Sequence, residues 1–445
     1  MFKAKTFFNN FLLGTIFYSA LAAAQVPFER ILNSTDEPEN WLTYNGGYSS
    51  QRYSELDQIK AENVDELELK WVLQNQVFGA WQSNPIVVDG IMYITERPNS
   101  VMALDAITGR VFWKYKHTPD ERSRVCCGAN NRGVAVLDDR VFMGTLDARL
   151  VALDRISGEV LWEAEVGDVS RAYSVTMAPL VVKDKVIVGV GGGEYGIRGY
   201  VAAYDAATGE EVWKTYTIPG PGESGHDSWE GDDWQYGGAS VWITGSFDPE
   251  TNLTFWGVGN PGPDWNASQR PGDNLYSDSV IALDADTGKL DWYFQFTPND
   301  AYDYDSVQVP VLADIDWRGT PTKVMMWANR NGYFYVLDRT NGKFLVGEPY
   351  VRVNWSSGLD EMGRPIPTPQ PEGMPTYPGN QGGTNWYPPS FSPRTGLFYF
   401  SAWKDYATIY RPEESEYEPG KAFLGGGFSV LAPSPGAPTI GIGRT

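Results

Sequence analysis

Residues 103–113 read ALDAITGRVFW, and this phrase decides the fold because it returns four more times along the chain. The other copies are ALDRISGEVLW at 152–162, AAYDAATGEEVW at 202–213, ALDADTGKLDW at 282–292 and VLDRTNGKFLV at 336–346. Their aspartates lie 49, 51, 79 and 54 residues apart. Self-similarity at a period of about 50 residues is typical of propeller blades or of solenoids.

Each copy has the pattern of a strand, a turn of the Asp-x-x-Thr-Gly type and a second strand, with Ser in place of Thr in the second copy and Asn in the fifth. The aspartate can accept hydrogen bonds from turn amides, and the glycine can adopt a positive φ, so each copy predicts a hairpin. Four copies end in a tryptophan that can bury about 200 Å² against the next blade, whereas the fifth ends at Val346. With few helical stretches elsewhere, we predict an all-β fold, specifically a β-propeller of four-stranded blades.

Composition excludes several classes of function. The chain has 445 residues, with 35 Lys and Arg against 56 Asp and Glu, so its net charge of −21 repels nucleic-acid phosphates. Its two histidines, His117 and His226, lack any close spacing with cysteines, which argues against a histidine-rich zinc site. We therefore expect no nucleic-acid partner.

The N-terminus has the pattern of a secretory signal peptide. Lys3 and Lys5 precede an apolar run at 11–22, and three alanines precede Gln25. We predict a signal peptide at 1–24, export to the periplasm and no membrane span, because a spanning helix needs roughly 20 apolar residues; a membrane anchor is the alternative. Residues 25–445 are then one propeller domain, and the Gly- and Pro-rich end at 425–445 predicts that further C-terminal blades are missing.

Three other local features of the sequence each have two possible interpretations. The long segments 219–234 and 261–276 are either functional loops or covers for a sheet edge. Residues 191–196, GGGEYG, fit a dinucleotide-binding fingerprint, but the following residues read as strand and turn, so we expect no nicotinamide cofactor. The adjacent Cys126 and Cys127 are either two buried thiols or a strained vicinal disulfide, and we expect the disulfide in an exported chain.

Several motifs together resemble one family, the pyrroloquinoline quinone (PQQ)-dependent alcohol dehydrogenases of the methanol/ethanol dehydrogenase type. The resemblance runs from about residue 40 to the end of the chain and rests on the vicinal cysteines, the Trp-ended repeats and the motifs GGGEYGIRG (191–199), WEGDDW (229–234), WGVGNPGPDWN (256–266), RPGDN (270–274) and DYD (303–305). It implies an eight-bladed propeller, of which five repeats are recognisable here.

The resemblance implies a set of cofactor-binding residues. A Cys126–Cys127 disulfide would lie on one face of PQQ and Trp242 on the other, while Arg132 and Arg330 would hold its oxygens. The remaining positions are Gln82, Thr176, Gly192, Gly193, Ser240, Asn385 and Trp386. Gln82 stands where many relatives have Glu, and Ser240 stands where methanol-oxidising relatives commonly have Thr.

The same resemblance implies a metal site and a catalytic base. Glu194 and Asn260 match metal ligands, Asp303 matches the base, and Asp305 matches an extra carboxylate of the lanthanide-using members. In an extended loop, residues two apart point the same way, so Asp303 and Asp305 could face one cation, a lanthanide ion or Ca²⁺. A solvated acidic turn is the alternative interpretation of DYD.

The implied function is oxidation of a primary alcohol to an aldehyde by hydride transfer to metal-bound PQQ. Asp303 would take the alcohol proton, and Arg330 would stabilise negative charge on the reduced quinone. Electrons would pass to a cytochrome c, since the chain has no C-x-x-C-H motif. Secondary or polymeric alcohols, or a non-catalytic scaffold propeller, are the alternatives; a homodimer is one expected assembly. Aromatic walls for the substrate could come from Trp229, Trp234, Trp265 and Trp386.

Overall fold

The computed structural model describes residues 25–431 and the backbone of residues 439–444, so the predicted signal peptide lies outside the described residues. Five four-stranded antiparallel sheets follow one another, a three-stranded sheet (β23, β24, β27) comes next, and two short pairs (β21–β22 and β25–β26) complete the strands described. The strands are β1 (Ile86–Val88), β2 (Ile91–Glu96), β3 (Ser100–Asp105), β4 (Val111–Lys116), β5 (Ala135–Leu137), β6 (Arg140–Gly144), β7 (Arg149–Asp154), β8 (Val160–Glu165), β9 (Leu180–Val182), β10 (Lys185–Gly189), β11 (Tyr200–Asp205), β12 (Glu211–Tyr216), β13 (Ser246–Asp248), β14 (Leu253–Gly257), β15 (Ser279–Asp284), β16 (Leu290–Gln295), β17 (Val311–Trp317), β18 (Thr320–Ala328), β19 (Tyr333–Asp338), β20 (Lys343–Pro349), β21 (Ser356–Leu359), β22 (Pro365–Pro367), β23 (Ser390–Ser392), β24 (Leu397–Ala402), β25 (Ala407–Pro412), β26 (Gly426–Leu431) and β27 (Thr439–Arg444).

In residues 25–431, helical structure is limited to short pieces. One α-helix, α1, spans Phe28–Leu32, and the 3₁₀ turns are Ser34–Asp36, Val64–Glu66, Val169–Arg171, Gly193–Tyr195, His226–Ser228, Asp233–Gln235 and Ala267–Gln269. Within the described part of the chain, no helix has the length and apolar character needed to cross a bilayer. The all-β prediction is therefore confirmed.

The five sequence repeats are the third and fourth strands of the five four-stranded sheets, joined by the predicted turn. In the third copy, one carboxylate oxygen of Asp205 accepts hydrogen bonds from the amides of Ala207 at 3.0 Å and Thr208 at 2.8 Å. Gly209 then adopts a φ of 78°, which a residue with a side chain adopts at a cost. Hydrogen bonds to the aspartate and the positive φ of the glycine thus stabilise the turn of each hairpin.

Each repeat tryptophan packs on the following sheet. The indole Nε1 of Trp162 donates to the carbonyl of Ala206 at 3.2 Å, and its ring lies so close to Gly209 that a Cβ there would be 2.7 Å from Cε3. Trp113, Trp213 and Trp292 lie against the turn glycines Gly158, Gly288 and Gly342 of the next sheet in the same way. This sheet-to-sheet docking is the contact that the propeller prediction required.

Trp71, which lies outside every repeat copy, makes the same contact with the first sheet. Its Nε1 donates to the carbonyl of Ala106 at 3.2 Å, and its ring lies against Gly109. Sequence analysis missed this residue, because its surroundings lack the Asp-Gly turn that marks the other copies.

The segment at 26–51 covers the free edges of the first strands. Its backbone pairs with β1, β13, β17 and β23, and the hydroxyl of Tyr48 donates to β9. Uncovered, these edges would expose unpaired amides and carbonyls, so the segment ties the sheets together.

Antiparallel pairing gives the sheets two functionally different ends. We call one of them the cleft end: there, the first strand of each sheet begins and the second strand ends. At the turn end, the Asp-x-x-Thr-Gly turns join the third strand to the fourth. Loops that precede a first strand and loops that follow a second strand therefore meet at the cleft end.

Candidate active site

The candidate residues gather at the cleft end around a cavity of about 350 Å³. Those preceding a first strand are Gln82, Arg132, Thr176, Ser240, Trp242, Asp303, Asp305, Asn385 and Trp386; those following a second strand are Gly192, Gly193, Glu194, Asn260 and Arg330. Except for Gly193 and Asn260, these residues line the cavity together with Cys126 and Cys127. The two exceptions are buried behind its wall.

Cys126 and Cys127 form a vicinal disulfide in the loop between β4 and β5, with their Cα atoms 3.8 Å apart. The expected disulfide is therefore confirmed. A carboxylate oxygen of Glu194 lies within 4.8 Å of both sulfurs. Because the sulfurs are bonded to each other, this group is a flat wall beside a carboxylate and not a thiolate metal site.

Arg132 is held between two aromatic rings of the cavity wall. Its guanidinium carbon lies 4.8 Å from the ring centre of Trp242 and 5.3 Å from that of Trp386. Nη1 donates to the hydroxyl of Thr176 at 2.8 Å. Burial lowers the pKa of Arg132 to about 10, so the group stays charged at neutral pH.

The glycines of the GGGEYG segment allow close backbone approach. Gly192 has a φ of 119°, and a Cβ there would lie 2.4 Å from the carbonyl oxygen of Ala172. A 3₁₀ turn at Gly193–Tyr195 and the strand β11 follow, so the segment has no helix N-terminus for a pyrophosphate, as the sequence indicated.

The DYD loop brings two carboxylates to one arginine. Arg330, 3% exposed, donates from Nη1 to Oδ2 of Asp305 at 2.7 Å, and its Nη2 lies 3.4 Å from Oδ2 of Asp303. The other oxygen of Asp305 accepts from the amide of Asn260 at 3.0 Å. Asp303 and Asp305 therefore share a partner, as expected of two side chains that face one point.

The expected backbone of this loop was wrong. Asp303 and Asp305 have φ values of 60° and 29°, which are left-handed and not extended. The carboxylate of Asp300 accepts from the amides of Tyr302 at 2.9 Å and Tyr304 at 2.8 Å, and this turn bends the chain. Both aspartates are partly or fully buried, so the alternative of a solvated acidic turn is also wrong.

Burial and mutual repulsion raise the pKa values of Glu194 and Asp303 in the cavity. Burial, with repulsion from Asp305, raises the pKa of Glu194 to about 7. The pKa of Asp303 is also raised, first by burial and then by Asp305, although the Arg330 guanidinium opposes the shift. The site thus disfavours its own negative charge in the absence of a cation.

The two long loops, which the sequence predicts to be either functional loops or covers for a sheet edge, differ in their contact with the cavity. The loop at 261–276 brings Asp264 and Trp265 to the cavity. The loop at 219–234 lines none of it; Trp229 donates its Nε1 to the carbonyl of Leu275 at 2.5 Å and so supports the other loop from behind.

Only part of the predicted aromatic wall forms. Trp265 and Trp386 line the cavity, whereas Trp229 is buried behind it and Trp234 packs on Arg198, so those two assignments were wrong. The strands β25 and β26 contribute Phe428, whose ring centre lies 4.9 Å from that of Trp265. Sequence analysis missed this contact because no repeat marks the segment.

Asp264, Asn380 and Gln381 also line the cavity and were missed. The backbone carbonyl of Asn380 accepts from Nη2 of Arg330. A lone aspartate or asparagine in an irregular loop carries no spacing signal, although Asp264 does belong to the motif 256–266.

A larger cavity of about 640 Å³ lies between the N-terminal segment and β17. Its main charges are already paired: Arg339 bonds Asp248 at 2.8 Å and Asp314 at 2.6 Å. The smaller cavity is the better candidate because it collects unpaired polar groups.

The residues at the cleft end fit a planar, acceptor-rich ligand. Among the described residues, Nε of Arg132 and Nε of Arg330 are buried without a hydrogen-bond partner, and so is Oε1 of Gln82. Two unused guanidinium donors, a flat disulfide and indole faces suit the quinone oxygens and carboxylates of PQQ. The carboxylates beside them suit a hard cation.

Comparison with known proteins gives the same class. The family described as PQQ glucose/ethanol/alcohol dehydrogenase, beta-propeller domain, matches residues 41–361. The chain is thus a propeller of the PQQ-binding class.

Its relatives narrow the assignment. The quinoprotein alcohol dehydrogenase PedH of Pseudomonas putida is 40% identical over 95% of this chain and 76% of its own length. The quinohemoprotein alcohol dehydrogenase ADH IIB of Pseudomonas putida is 39% identical, and this chain spans 64% of it. A solved europium-containing methanol dehydrogenase superimposes with a TM-score of 0.85 at 37% identity, covering 91% of this chain and 75% of that one. The protein belongs to the PQQ-dependent alcohol dehydrogenases, a family of enzymes.

Proposed function

We propose that this protein oxidises a small primary alcohol to its aldehyde, using PQQ together with a lanthanide ion or Ca²⁺. The observation that carries the proposal is the buried contact of Arg330 with Asp303 and Asp305, at the side of a cavity that also holds the vicinal disulfide. A base, a fixed positive charge and a flat binding wall are the groups that such an oxidation needs.

In this proposal Asp303 is the general base. Its position in the cavity lets its carboxylate accept the hydroxyl proton of the alcohol. When bound, PQQ and its metal supply a two-electron acceptor for the carbon-bound hydrogen. Arg330, which lines the cavity, holds Asp303 in place, and its buried Nε has no hydrogen-bond partner among the described residues.

The other candidate residues bind and orient the cofactor. The Cys126–Cys127 disulfide and Trp242 would lie on opposite faces of the ring system. Arg132, Gln82, Thr176, Ser240, Asn385, Trp386 and the backbone at Gly192 and Gly193 would surround its edge, and Glu194, Asn260, Asp303 and Asp305 would hold the metal. Their common position at the cleft end supports this assignment.

The size and lining of the cavity support a small substrate. About 350 Å³ must hold both cofactor and alcohol, and Trp265 and Phe428 give the remaining space an apolar wall. A short alcohol with an apolar chain fits this space better than a polymer does.

The test is alcohol-dependent dye reduction by protein reconstituted with PQQ, comparing Ca²⁺ with La³⁺. We expect activity with La³⁺ and its loss in Asp305→Ala, because a trivalent ion needs the additional carboxylate. Asp232→Asn, which removes one exposed charge outside the cavity, is the control. Activity with Ca²⁺ alone would assign Asp305 no metal role, and no activity with either ion would contradict the proposal.

We further propose that the protein acts in the periplasm and passes its electrons to a cytochrome c. A net charge of −21 would steer a basic cytochrome to the surface. Cytochrome reduction should therefore slow several-fold as ionic strength rises, while reduction of a neutral dye should not.

A homodimer is the proposed assembly of the protein, and sedimentation analysis tests it.

A further inference from the structure

Arg97 is a residue to which the family motifs give no role, and among the described residues it does not line the cavity. It directly follows β2, the second strand of the first sheet, and therefore lies at the cleft end. Two loops flank it there. We call them the Gln82 loop (residues 75–85) and the disulfide loop (residues 117–134, between β4 and β5). Both loops contribute side chains to the cavity wall, so Arg97 lies where two parts of that wall meet.

The two loops are joined to each other near their bases. The amide of Asn84 donates to the carbonyl of Arg132 at 3.0 Å. Next to this bond, the end of β2 bridges the loops through Thr95, whose amide donates to Oγ of Ser83 at 2.9 Å and whose hydroxyl donates to the carbonyl of Asn131 at 3.1 Å. The end of β2 is thus inserted between the loops.

Arg97 continues this bridge toward the tips of the loops. Its Nε donates to the carbonyl of Ala129 at 3.0 Å, and its Nη1 lies 3.4 Å from the carbonyl oxygen of Phe78. Hydrogen bonds from a charged donor are stronger than those between neutral groups. Within the described part of the chain Arg97 forms no salt bridge, so its guanidinium is directed to the two loop backbones.

Two glycines make room for the guanidinium, one from each loop. A Cβ on Gly79 would lie 1.7 Å from Nη1 of Arg97, and a Cβ on Gly128 would lie 3.4 Å from its Nη2. These glycines have φ values of 114° and 97°, which residues with a side chain rarely adopt. The guanidinium is therefore enclosed between two loop backbones, and a side chain at position 79 would displace it.

The tip of the disulfide loop needs a contact of this kind, because the hydrogen bonds within the tip are local. Asn130 donates from Nδ2 to the carbonyl of Cys127 at 2.9 Å, and its amide donates to the carbonyl of Gly128 at 2.8 Å. These bonds shape the tip but do not fix its distance from the Gln82 loop. Cys127 is exposed, so burial does not hold it either.

We propose that Arg97 is a positioning residue, which holds the Gln82 loop and the disulfide loop at the separation that PQQ binding needs. It acts through the Cys126–Cys127 wall and Gln82 and does not itself contact the cofactor. The inference rests on the proposed function in one respect, because this separation matters for the reaction only if PQQ binds against the disulfide.

The first experiment measures PQQ affinity. Protein with Ca²⁺ is titrated with PQQ, and the quenching of tryptophan fluorescence gives the dissociation constant. Arg97→Met should raise this constant about 10-fold, because the disulfide wall loses its charged hydrogen bonds. Arg97→Lys should give an intermediate constant, since it keeps the charge but loses the guanidinium fork. The KM for the alcohol at saturating PQQ should stay unchanged in both variants.

Gly79→Ala tests the same contact from the other side. Its Cβ would displace the guanidinium, so this variant should weaken PQQ binding by a similar factor. The variant with both Arg97→Met and Gly79→Ala should bind no more weakly than either single variant, because both substitutions remove one contact. Gly90→Ala is the matched control, since its φ is 75° and a Cβ there meets nothing within 4 Å; it should leave the constant unchanged. Multiplied effects in the double variant would overturn the inference, as would an unchanged constant in Arg97→Met.

Reduction of the disulfide in PQQ-free protein separates this inference from the proposed function. The protein is treated with dithiothreitol, and the released thiols are alkylated and counted by mass spectrometry. Arg97→Met and Gly79→Ala should be reduced about fivefold faster than the wild type, because a freer tip is more accessible to the attacking thiolate. Their unfolding temperatures should fall by less than about 4 °C, which shows that the effect is local.

The two measurements have different consequences. Wild-type protein that binds no PQQ would overturn the proposed function. Equal reduction rates in the wild type and in Arg97→Met would overturn only the inference about Arg97. If Arg97→Met does not fold, Arg97→Lys and Gly79→Ala decide the question by the same two measurements.

Discussion

The two ends of the propeller are built from the same strands but differ in how their polar groups are satisfied. At the turn end, each repeat aspartate caps its own turn. Four of the turn glycines lie under a tryptophan of the preceding sheet, and Gly109 lies under Trp71. At the cleft end, Arg132, Arg330, Gln82 and Asp264 leave buried atoms without a partner among the described residues, and all four line one cavity. The turn end has isolated exceptions, such as Nε1 of Trp292.

This difference shows where the molecule gains stability and where it retains unused binding capacity. Repeated, internally satisfied contacts stabilise the fold, whereas a cluster of unpaired buried groups costs stability and persists where a ligand can use it. Substitutions at the turn end should therefore change stability, and substitutions at the cleft end should change activity.

The largest effect is expected at the cleft end, from Asp303→Asn. Removal of the base should lower kcat by about 10²–10⁴-fold, because the amide cannot accept the alcohol proton in the same way. The unfolding temperature of the metal-free protein should not fall, since the burial of the Asp303 charge, together with repulsion from Asp305 and Asp264, outweighs its attraction to Arg330. Steady-state kinetics and calorimetry measure both quantities, with Asp232→Asn as the control; turnover within threefold of wild type would contradict the role of Asp303.

At the turn end, Gly209→Ala should cost about 3 kcal/mol of unfolding free energy with no change in kcat per folded molecule. The methyl group would clash with the Trp162 ring, at 2.7 Å from Cε3, and the φ of 78° adds a conformational cost. Gly222→Ala is a matched control, because its φ is 86° but a Cβ there meets nothing within 4 Å. We expect this control to lose only about 1 kcal/mol; equal losses in denaturant unfolding would show that the tryptophan contact contributes nothing.

The same contrast explains how much could be predicted from the sequence. The turn end repeats, so five copies of one phrase were enough to predict the hairpins and the docking tryptophans. Trp71 docks in the same way but was missed, because no Asp-Gly turn accompanies it.

The cleft end does not repeat, and its prediction depended on resemblance to a family. Motifs identified residues from six sheets that the structure brings to one cavity. Asp264 and Phe428 were missed because their contacts join loops distant in sequence, and the DYD backbone was wrong because the capping by Asp300 is a local hydrogen-bond pattern that spacing alone does not show.

A smaller effect should appear in the pH dependence of metal-free stability. The pKa of Glu194 is raised from 4.5 to about 7 in the folded state, so the folded protein retains a proton that the unfolded chain releases. Stability should therefore decrease as pH rises from 4.5 to 7, by about 2 kcal/mol after allowance for partial exposure, and should level off above pH 7.

Urea unfolding between pH 4.5 and 8 measures this slope, and Glu194→Gln should reduce it. Carboxyls with lowered pKa, such as Asp147 at about 2, act with the opposite sign but below this window. Addition of a lanthanide with PQQ should stabilise the protein more at pH 7 than at pH 5; an unchanged slope in Glu194→Gln would contradict the burial of its charge.

The smallest effect tests whether the repeats at the turn end are equivalent. Trp213 and Trp292 are both 8% exposed and both dock on a turn glycine, but only Nε1 of Trp213 donates, to the carbonyl of Ala285 at 3.2 Å; Nε1 of Trp292 is buried without a partner among the described residues. Replacement by Phe removes a similar ring area at each position. Trp213→Phe should therefore cost about 1 kcal/mol more than Trp292→Phe in unfolding free energy, because only the first loses a hydrogen bond. Equal costs would mean that the hydrogen bond adds no stability and that ring packing alone holds adjacent sheets together. A larger cost for Trp292→Phe would contradict the prediction that the hydrogen bond of Trp213 stabilises the fold.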